Sequence, residues 1–177
     1  AGGLGPSPGE VSMTESLRRS GLGQNQNQYD DKSGMETVLM GNKRLYEIMK
    51  QKEELYAKED FSDEDGVLVS ELETEFAELN GWEAESDAAK ILQGLGVAVP
   101  MHGMLCGSLD GRQKVKVLLA QSLFGEPDAI LLDEPTNNLD YQSISWLEDF
   151  LMDFPGIVIL VSHDRHFLNT VCTHIVD

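Results

Sequence analysis

The sequence predicts an α/β fold, a parallel core sheet carrying an inserted helical subdomain. Three observations carry that expectation. Ala129-Ile130-Leu131-Leu132 is an uninterrupted apolar run that stops at Asp133-Glu134. Ile157-Val158-Ile159-Leu160-Val161 is a second such run, stopping at Ser162-His163-Asp164. Short apolar runs without polar alternation read as strands buried on both faces, the habit of parallel sheets. The third observation is the stretch from Met35 to Leu95, where apolar residues recur at helical spacing instead.

Composition bounds the answer further. A length of 177 residues suits one domain, or a core with a small appendage. With 13 basic and 31 acidic residues the formal charge is −18, which argues against a nucleic-acid-binding surface on this chain by itself. Cys106 and Cys172 form no CxxC, so neither a disulfide framework nor a zinc pattern is expected. A reducing, cytoplasmic setting is the default for such a chain. No run approaches the roughly 20 apolar residues of a membrane span. The Gly- and Pro-rich start lacks the apolar core of a signal peptide.

Taken in order, residues 1–9 are turn material. Glu10–Met13 and Leu17–Leu22 are short strand candidates, and Gln24–Gln28 is a polar loop. From Met35 to about Lys58 the spacing of Val38, Leu45, Ile48, Met49, Leu55 and Tyr56 predicts a helix. Ser62 and Asp65 sit where a capping box starts the next helix, with Leu68, Leu72, Phe76 and Leu79 as its inward stripe. A short polar loop between the two makes an antiparallel hairpin. Asn80-Gly81 ends it, and a third helix buries Ala88, Ile91, Leu92 and Leu95, with Gly94 and Gly96 marking its end. Val97–Ser108 is a connector whose His102 is assigned no role.

Leu109-Asp110-Gly111-Arg112-Gln113 leads into a helix with Val115, Leu118, Leu119 and Leu123 inward. Backbone N–H groups at such a start favour phosphate, a weak signal alone. The strand at 129–133 then ends in two carboxylates, and Pro135 forbids the ladder from continuing. This is a Walker B arrangement: Asp133 can hold Mg²⁺, and Glu134 can orient an attacking water. A helix follows from Asp140 to Asp153, with Ile144, Leu147, Phe150 and Leu151 inward. His163 falls at the tip of the next strand, so both tips should face one crevice. Asp164 caps a helix at Arg165–Val171, and Thr173–Asp177 reads as the beginning of another strand.

The order of these motifs is that of ATP-binding-cassette ATPases. Asp133-Glu134-Pro135-Thr136-Asn137-Asn138-Leu139-Asp140, followed by Val161-Ser162-His163-Asp164-Arg165-His166-Phe167-Leu168, resembles the ABC-F branch. Val38–Tyr46 and Asn80–Glu85 resemble the helical arm region of its first cassette. The likeness covers nearly the whole chain and is strongest from Thr37 to Asp177. It implies a soluble, cytoplasmic ATPase that acts on the ribosome with a second cassette on the same chain and no membrane partner. ATP and Mg²⁺ are the implied ligands.

By that resemblance Gln24 is the Q-loop glutamine, close to Mg²⁺ and water. Leu109, Asp110, Gly111, Arg112 and Gln113 form the signature motif, which faces nucleotide held by the opposite cassette. Asp133 binds Mg²⁺ through water and Glu134 is the general base or water-orienting group. Asn138, Leu139 and Asp140 form the D-loop, and His163 donates toward the γ-phosphate.

The expected divisions are 1–34 as the partial β region with the Q-loop, 35–108 as the helical subdomain, and 109–177 as the signature, Walker B and switch-histidine part. Two departures stand out. No GxxxxGK[ST] occurs, so the resemblance places the Walker A loop before Ala1 and the segment alone is expected to be inactive. Asp110 stands where Ser is usual and Arg112 where Gly is usual, so a carboxylate would meet a phosphate. The competing readings are the nucleotide-binding part of a membrane transporter and a degenerate cassette serving as an interaction module.

Overall fold

In the computed structural model, which describes residues 19–21 and 27–175, three parallel strands form a sheet in the order β1-β2-β3. These are β1 (Arg19–Gly21), β2 (Ala129–Asp133) and β3 (Ile157–Val161). The helices are α1 (Gly34–Leu39), α2 (Lys43–Tyr56), α3 (Asp63–Glu78), α4 (Ala84–Gly94), α5 (Val99–His102), α6 (Gly111–Leu123), α7 (Tyr141–Asp153) and α8 (Arg165–Val171). The strand expected at Leu17–Leu22 is present over its three described residues. The strand expected at Glu10–Met13 lies outside the described residues, as does Gln24.

β2 is the middle strand, and Ile130 and Leu132 on it are almost fully enclosed. One continuous core joins this sheet to the helices through Val38, Ile48, Leu92, Val117, Leu147 and Phe167. Burying each such side chain contributes about 1.5–3 kcal/mol. α6 packs across α1 and α4, and its second half is enclosed nearly all round. Val117, Ala120 and Ser122 are therefore buried beside the expected Leu118, Leu119 and Leu123, whereas Val115 is only half-buried.

Four expectations need correction. The helix read from Met35 to Lys58 is two helices, broken at Met40-Gly41-Asn42. Gly41 presses on α6: a Cβ there would lie 2.2 Å from the Gln121 carbonyl oxygen. Asn42 then caps α2, its side chain accepting from the Leu45 N–H at 3.2 Å. Second, Tyr56 and Leu68 are exposed, because the hairpin of α2 and α3 extends past the core at that end. The Tyr56 hydroxyl donates to Glu73 instead.

Third, β3 is not enclosed on both faces. Ile157, Ile159 and Val161 are exposed while Val158 and Leu160 pack on the core. β3 ends the described sheet, and the described helices cover one of its faces. Fourth, residues 173–175 carry no strand, and 176–177 lie outside the described residues.

The hairpin is held by charge as well as by Leu72 and Phe76. Arg44 reaches Glu75 through two N–H donors. The Lys52 ammonium lies 2.8 Å from Glu73 and 3.9 Å from the centre of the Phe76 ring. The expected capping box is formed by Ser62 and Asp65. The Lys58 ammonium donates to Asp65 at 2.5 Å, and with the Ser62 N–H and hydroxyl this holds the Asp65 carboxyl down at about 2.

Two outcomes follow for the scaffold. Gly41→Ala lowers the urea midpoint, by about 1–3 kcal/mol of stability for an overpacked site. Gly103→Ala, where a Cβ meets nothing within 4 Å, stays within about 0.5 kcal/mol. Asp65 has a depressed pKa, so its stabilising contribution is complete above the unfolded-chain value and fades as pH falls towards 2. Carboxyl NMR titration should place its midpoint near 2, and Lys58→Met should raise it.

Candidate functional site at the strand tips

β2 and β3 pair in parallel register, with Asp133 opposite Val161. The Glu134 N–H donates to the Val161 carbonyl at 2.8 Å, carrying the ladder one residue past the strand. Glu134 then takes φ +48°, a left-handed conformation uncommon for a residue with a side chain. Such departures cluster where a side chain must be aimed. Pro135 follows and offers no N–H. The chain turns through Asn137 N–H to Glu134 carbonyl and Leu139 N–H to Thr136 carbonyl hydrogen bonds.

His163 leaves β3 two residues beyond Val161. Its Nε2 lies 3.5 Å from Glu134 Oε1. The two tips therefore bring the Glu134 carboxylate and the His163 imidazole together at one end of the sheet. The His163 side chain is 99% exposed and that of Glu134 25%. Asp133 is exposed beside them.

The helices that follow each tip are fixed by their caps. Asp140 accepts from the Ser143 N–H at 2.8 Å to start α7. Those bonds from Ser143, helped by the charge of Lys116, hold the Asp140 carboxyl below the usual carboxylate range. Asp164 accepts from the His166 and Phe167 N–H groups to start α8. Phe167, fully buried, anchors α8 in the core.

Asp110, Gly111, Arg112, Val115 and Asn138 line a single open recess, so the start of α6 meets the turn after β2. Asn138 is left-handed there, at φ +70°. Asp110 does not simply project outward: its Oδ1 accepts from the Gln113 N–H at 2.8 Å and caps α6. An Asp replaces a Ser at an N-cap without loss. Leu109 is buried in the core and does not line the recess. The Gln113 side-chain oxygen is enclosed and has no hydrogen-bond partner.

Sequence reasoning missed Lys116. It is buried, and a Cβ on Gly96 would lie 3.1 Å from its ammonium and 3.6 Å from Asp140 Oδ2. The Lys116 ammonium and the Asp140 carboxylate thus both flank Gly96, where the lysine's charge acts on the start of α7. The available signal was only that Lys116 lies between Val115 and Val117, at the start of the apolar half of α6.

Asp133 and Glu134 offer hard carboxylate oxygens, the donor chemistry that suits Mg²⁺. Among the described residues no group of three or more His, Cys, Asp or Glu side chains could close around a metal. That set fits an ion that keeps waters and phosphate oxygens as its other ligands.

No family profile matches the chain. Over all 177 residues it is 56% identical to the uncharacterized ABC transporter ATP-binding protein YkpA of Bacillus subtilis, covering 33% of that protein. Over 99% of its length it is 43% identical to the probable ATP-binding protein YbiT of Escherichia coli O157:H7, again 33% of that protein. The chain belongs to the ATP-binding-cassette family. Its relatives include the F branch: human ATP-binding cassette sub-family F member 3 is 35% identical over 83% of this chain and 21% of that protein.

The cassette thus spans about a third of the length of the bacterial relatives it matches. Its fold is that of the dimeric bacterial ABC transporter cassette MJ0796, with a TM-score of 0.54, 19% identity, and coverage of 88% of this chain and 56% of that one. A post-hydrolysis dimer of MJ0796 bound to ADP and Pi gives 0.55 at 16% identity, with the same coverage. Among the described residues no helix is long and apolar enough to cross a membrane.

The capping role of Asp110 is directly testable. In the cassette, Asp110→Ala should cost about 1 kcal/mol in urea unfolding, and Asp110→Ser should restore most of it.

Proposed function

We propose that this cassette is the catalytic edge of one nucleotide site in an ABC-F ATPase that acts on the ribosome. The observation that carries the reading is the 3.5 Å approach of His163 to Glu134 at the tips of adjacent parallel strands. Asp133 is the residue to hold Mg²⁺ through water, and that ion supplies charge to stabilise a transferring phosphoryl group. Glu134 orients the attacking water and accepts its proton. His163, almost fully exposed, donates toward the γ-phosphate oxygen. Gln24 completes the reading as the Q-loop residue.

Leu109 to Gln113 serve the nucleotide of a second cassette on the same full-length chain. Asn138 and Asp140 carry the turn that faces that partner. The common recess of Asp110, Gly111, Arg112 and Asn138 supports grouping these two motifs. The division of the chain at 1–34, 35–108 and 109–177 belongs to the same reading. The likeness to F-branch proteins supports the ribosome as partner and the cytoplasm as location. ATP turnover requires the whole protein, since these 177 residues contain no GxxxxGK[ST] string to hold the β- and γ-phosphates.

The test uses Glu134→Gln in the full-length protein. Turnover should fall by about 100-fold or more, as for loss of a general base. The variant should also co-sediment with ribosomes in the presence of ATP and not of ADP. Turnover at the wild-type rate contradicts the catalytic assignment. Lost turnover without ATP-dependent co-sedimentation keeps the ATPase and removes the ribosome.

A further inference from the structure

The segment that enters α1 and the segment that leads into α6 run side by side in opposite directions. Ser33 and Leu105 make an antiparallel bridge between them. The Gly34 N–H donates to the Met104 carbonyl at 3.0 Å, the Cys106 N–H to the Lys32 carbonyl at 2.8 Å and the Gly107 N–H to the Asp30 carbonyl at 3.0 Å. A Cβ on Gly107 would lie 2.9 Å from that Asp30 oxygen, so a larger residue does not fit at the crossing without a shift.

One side chain ties α6 itself to this pair. Lys114, one turn into the helix, donates through its ammonium to Asp30 Oδ1 at 2.7 Å and to Asn27 Oδ1 at 3.2 Å. The Lys114 side chain is 12% exposed and that of Asp30 43%. An enclosed ammonium needs an anionic partner, whereas a half-exposed carboxylate keeps water of its own. The lysine is therefore the member that depends on the contact. Its charge is also directed away from the recess at the start of α6, which Arg112 lines and Lys114 does not.

We infer that Lys114 is a positioning residue, which sets the start of α6 for the second nucleotide by fixing it to the segment at 27–32. The inference rests on the nucleotide reading given above. Asn27 and Asp30 follow Gln24 by three and six residues, and α6 opens with Gly111, Arg112 and Gln113. Lys114 thus joins the segment after the residue assigned to this cassette's own magnesium to the helix start assigned to the opposite cassette's nucleotide. Two contacts one turn into a helix fix its rotation about its own axis, and with it the direction in which Gly111 and Arg112 face.

The test is steady-state ATP hydrolysis and ADP binding by the full-length protein. Lys114→Met keeps the aliphatic stem and removes the charge, and should lower kcat about ten-fold or more, as misplacement away from the chemistry does. ADP carries no γ-phosphate for the opposite α6 to meet, so its affinity should stay within about two-fold. Lys114→Arg, which keeps a cation within reach of the same carboxylate, should retain most of the turnover. Asp30→Asn should reproduce the loss, and it tests the same contact should the Lys114→Met protein fail to fold. The double variant should be no slower than the slower single one. Turnover by Lys114→Met at the wild-type rate, ADP affinity that falls in step with kcat, no rescue by arginine, or losses that multiply in the double variant would each overturn it. Glu134→Gln in the same assay separates the two claims. If that variant turns over ATP normally, the nucleotide reading falls and this inference with it. If it is inactive while Lys114→Met is not, only the Lys114 assignment falls.

Discussion

Parallel pairing of β2 with β3 is the constraint on which the candidate site depends. Side chains alternate along a strand, so a slip of one residue would turn Asp133 to the other face. The register is pinned beyond the strand itself by the Glu134 N–H bonded to the Val161 carbonyl. That bond, the left-handed turn at Glu134 and the absent N–H of Pro135 act in sequence. The carboxylate is thereby aimed by the sheet, and His163 reaches it from the neighbouring tip.

The contact between Glu134 and His163 contributes little to stability. His163 is almost fully solvated, and an exposed pair of this kind is screened by water and salt. The geometry is maintained from below instead. Ile130 and Leu132 fix β2, Leu147 and Leu151 fix α7, and Phe167 fixes α8. Asp140 and Asp164 then set where each helix starts relative to its strand. A rigid base with an open polar edge is what a site needs if a nucleotide and a partner surface are to complete it.

Much of this was legible in the sequence because the signals were local. The run Ala129–Leu132, the Ser62–Asp65 cap and the Asp164 cap each rest on neighbouring residues, and the structure contains all three. Misreadings arose where distant packing decides. The corner at Gly41 exists because α6 passes against it, and nothing between residues 35 and 58 records that passage. β3 is as apolar as β2, but its environment differs from one face to the other. The buried Lys116 and the approach of α4 at Gly94 to the Trp146 ring likewise depend on which helices meet.

The most direct test of the shared-pocket claim is a double-mutant cycle on single-turnover ATP hydrolysis by the full-length protein, using Glu134→Ala and His163→Ala. Two side chains serving one reacting phosphate are strongly coupled, so the double variant should be little slower than the slower single variant. Losses that simply multiply, or a His163→Ala variant with unchanged rate, would contradict the account.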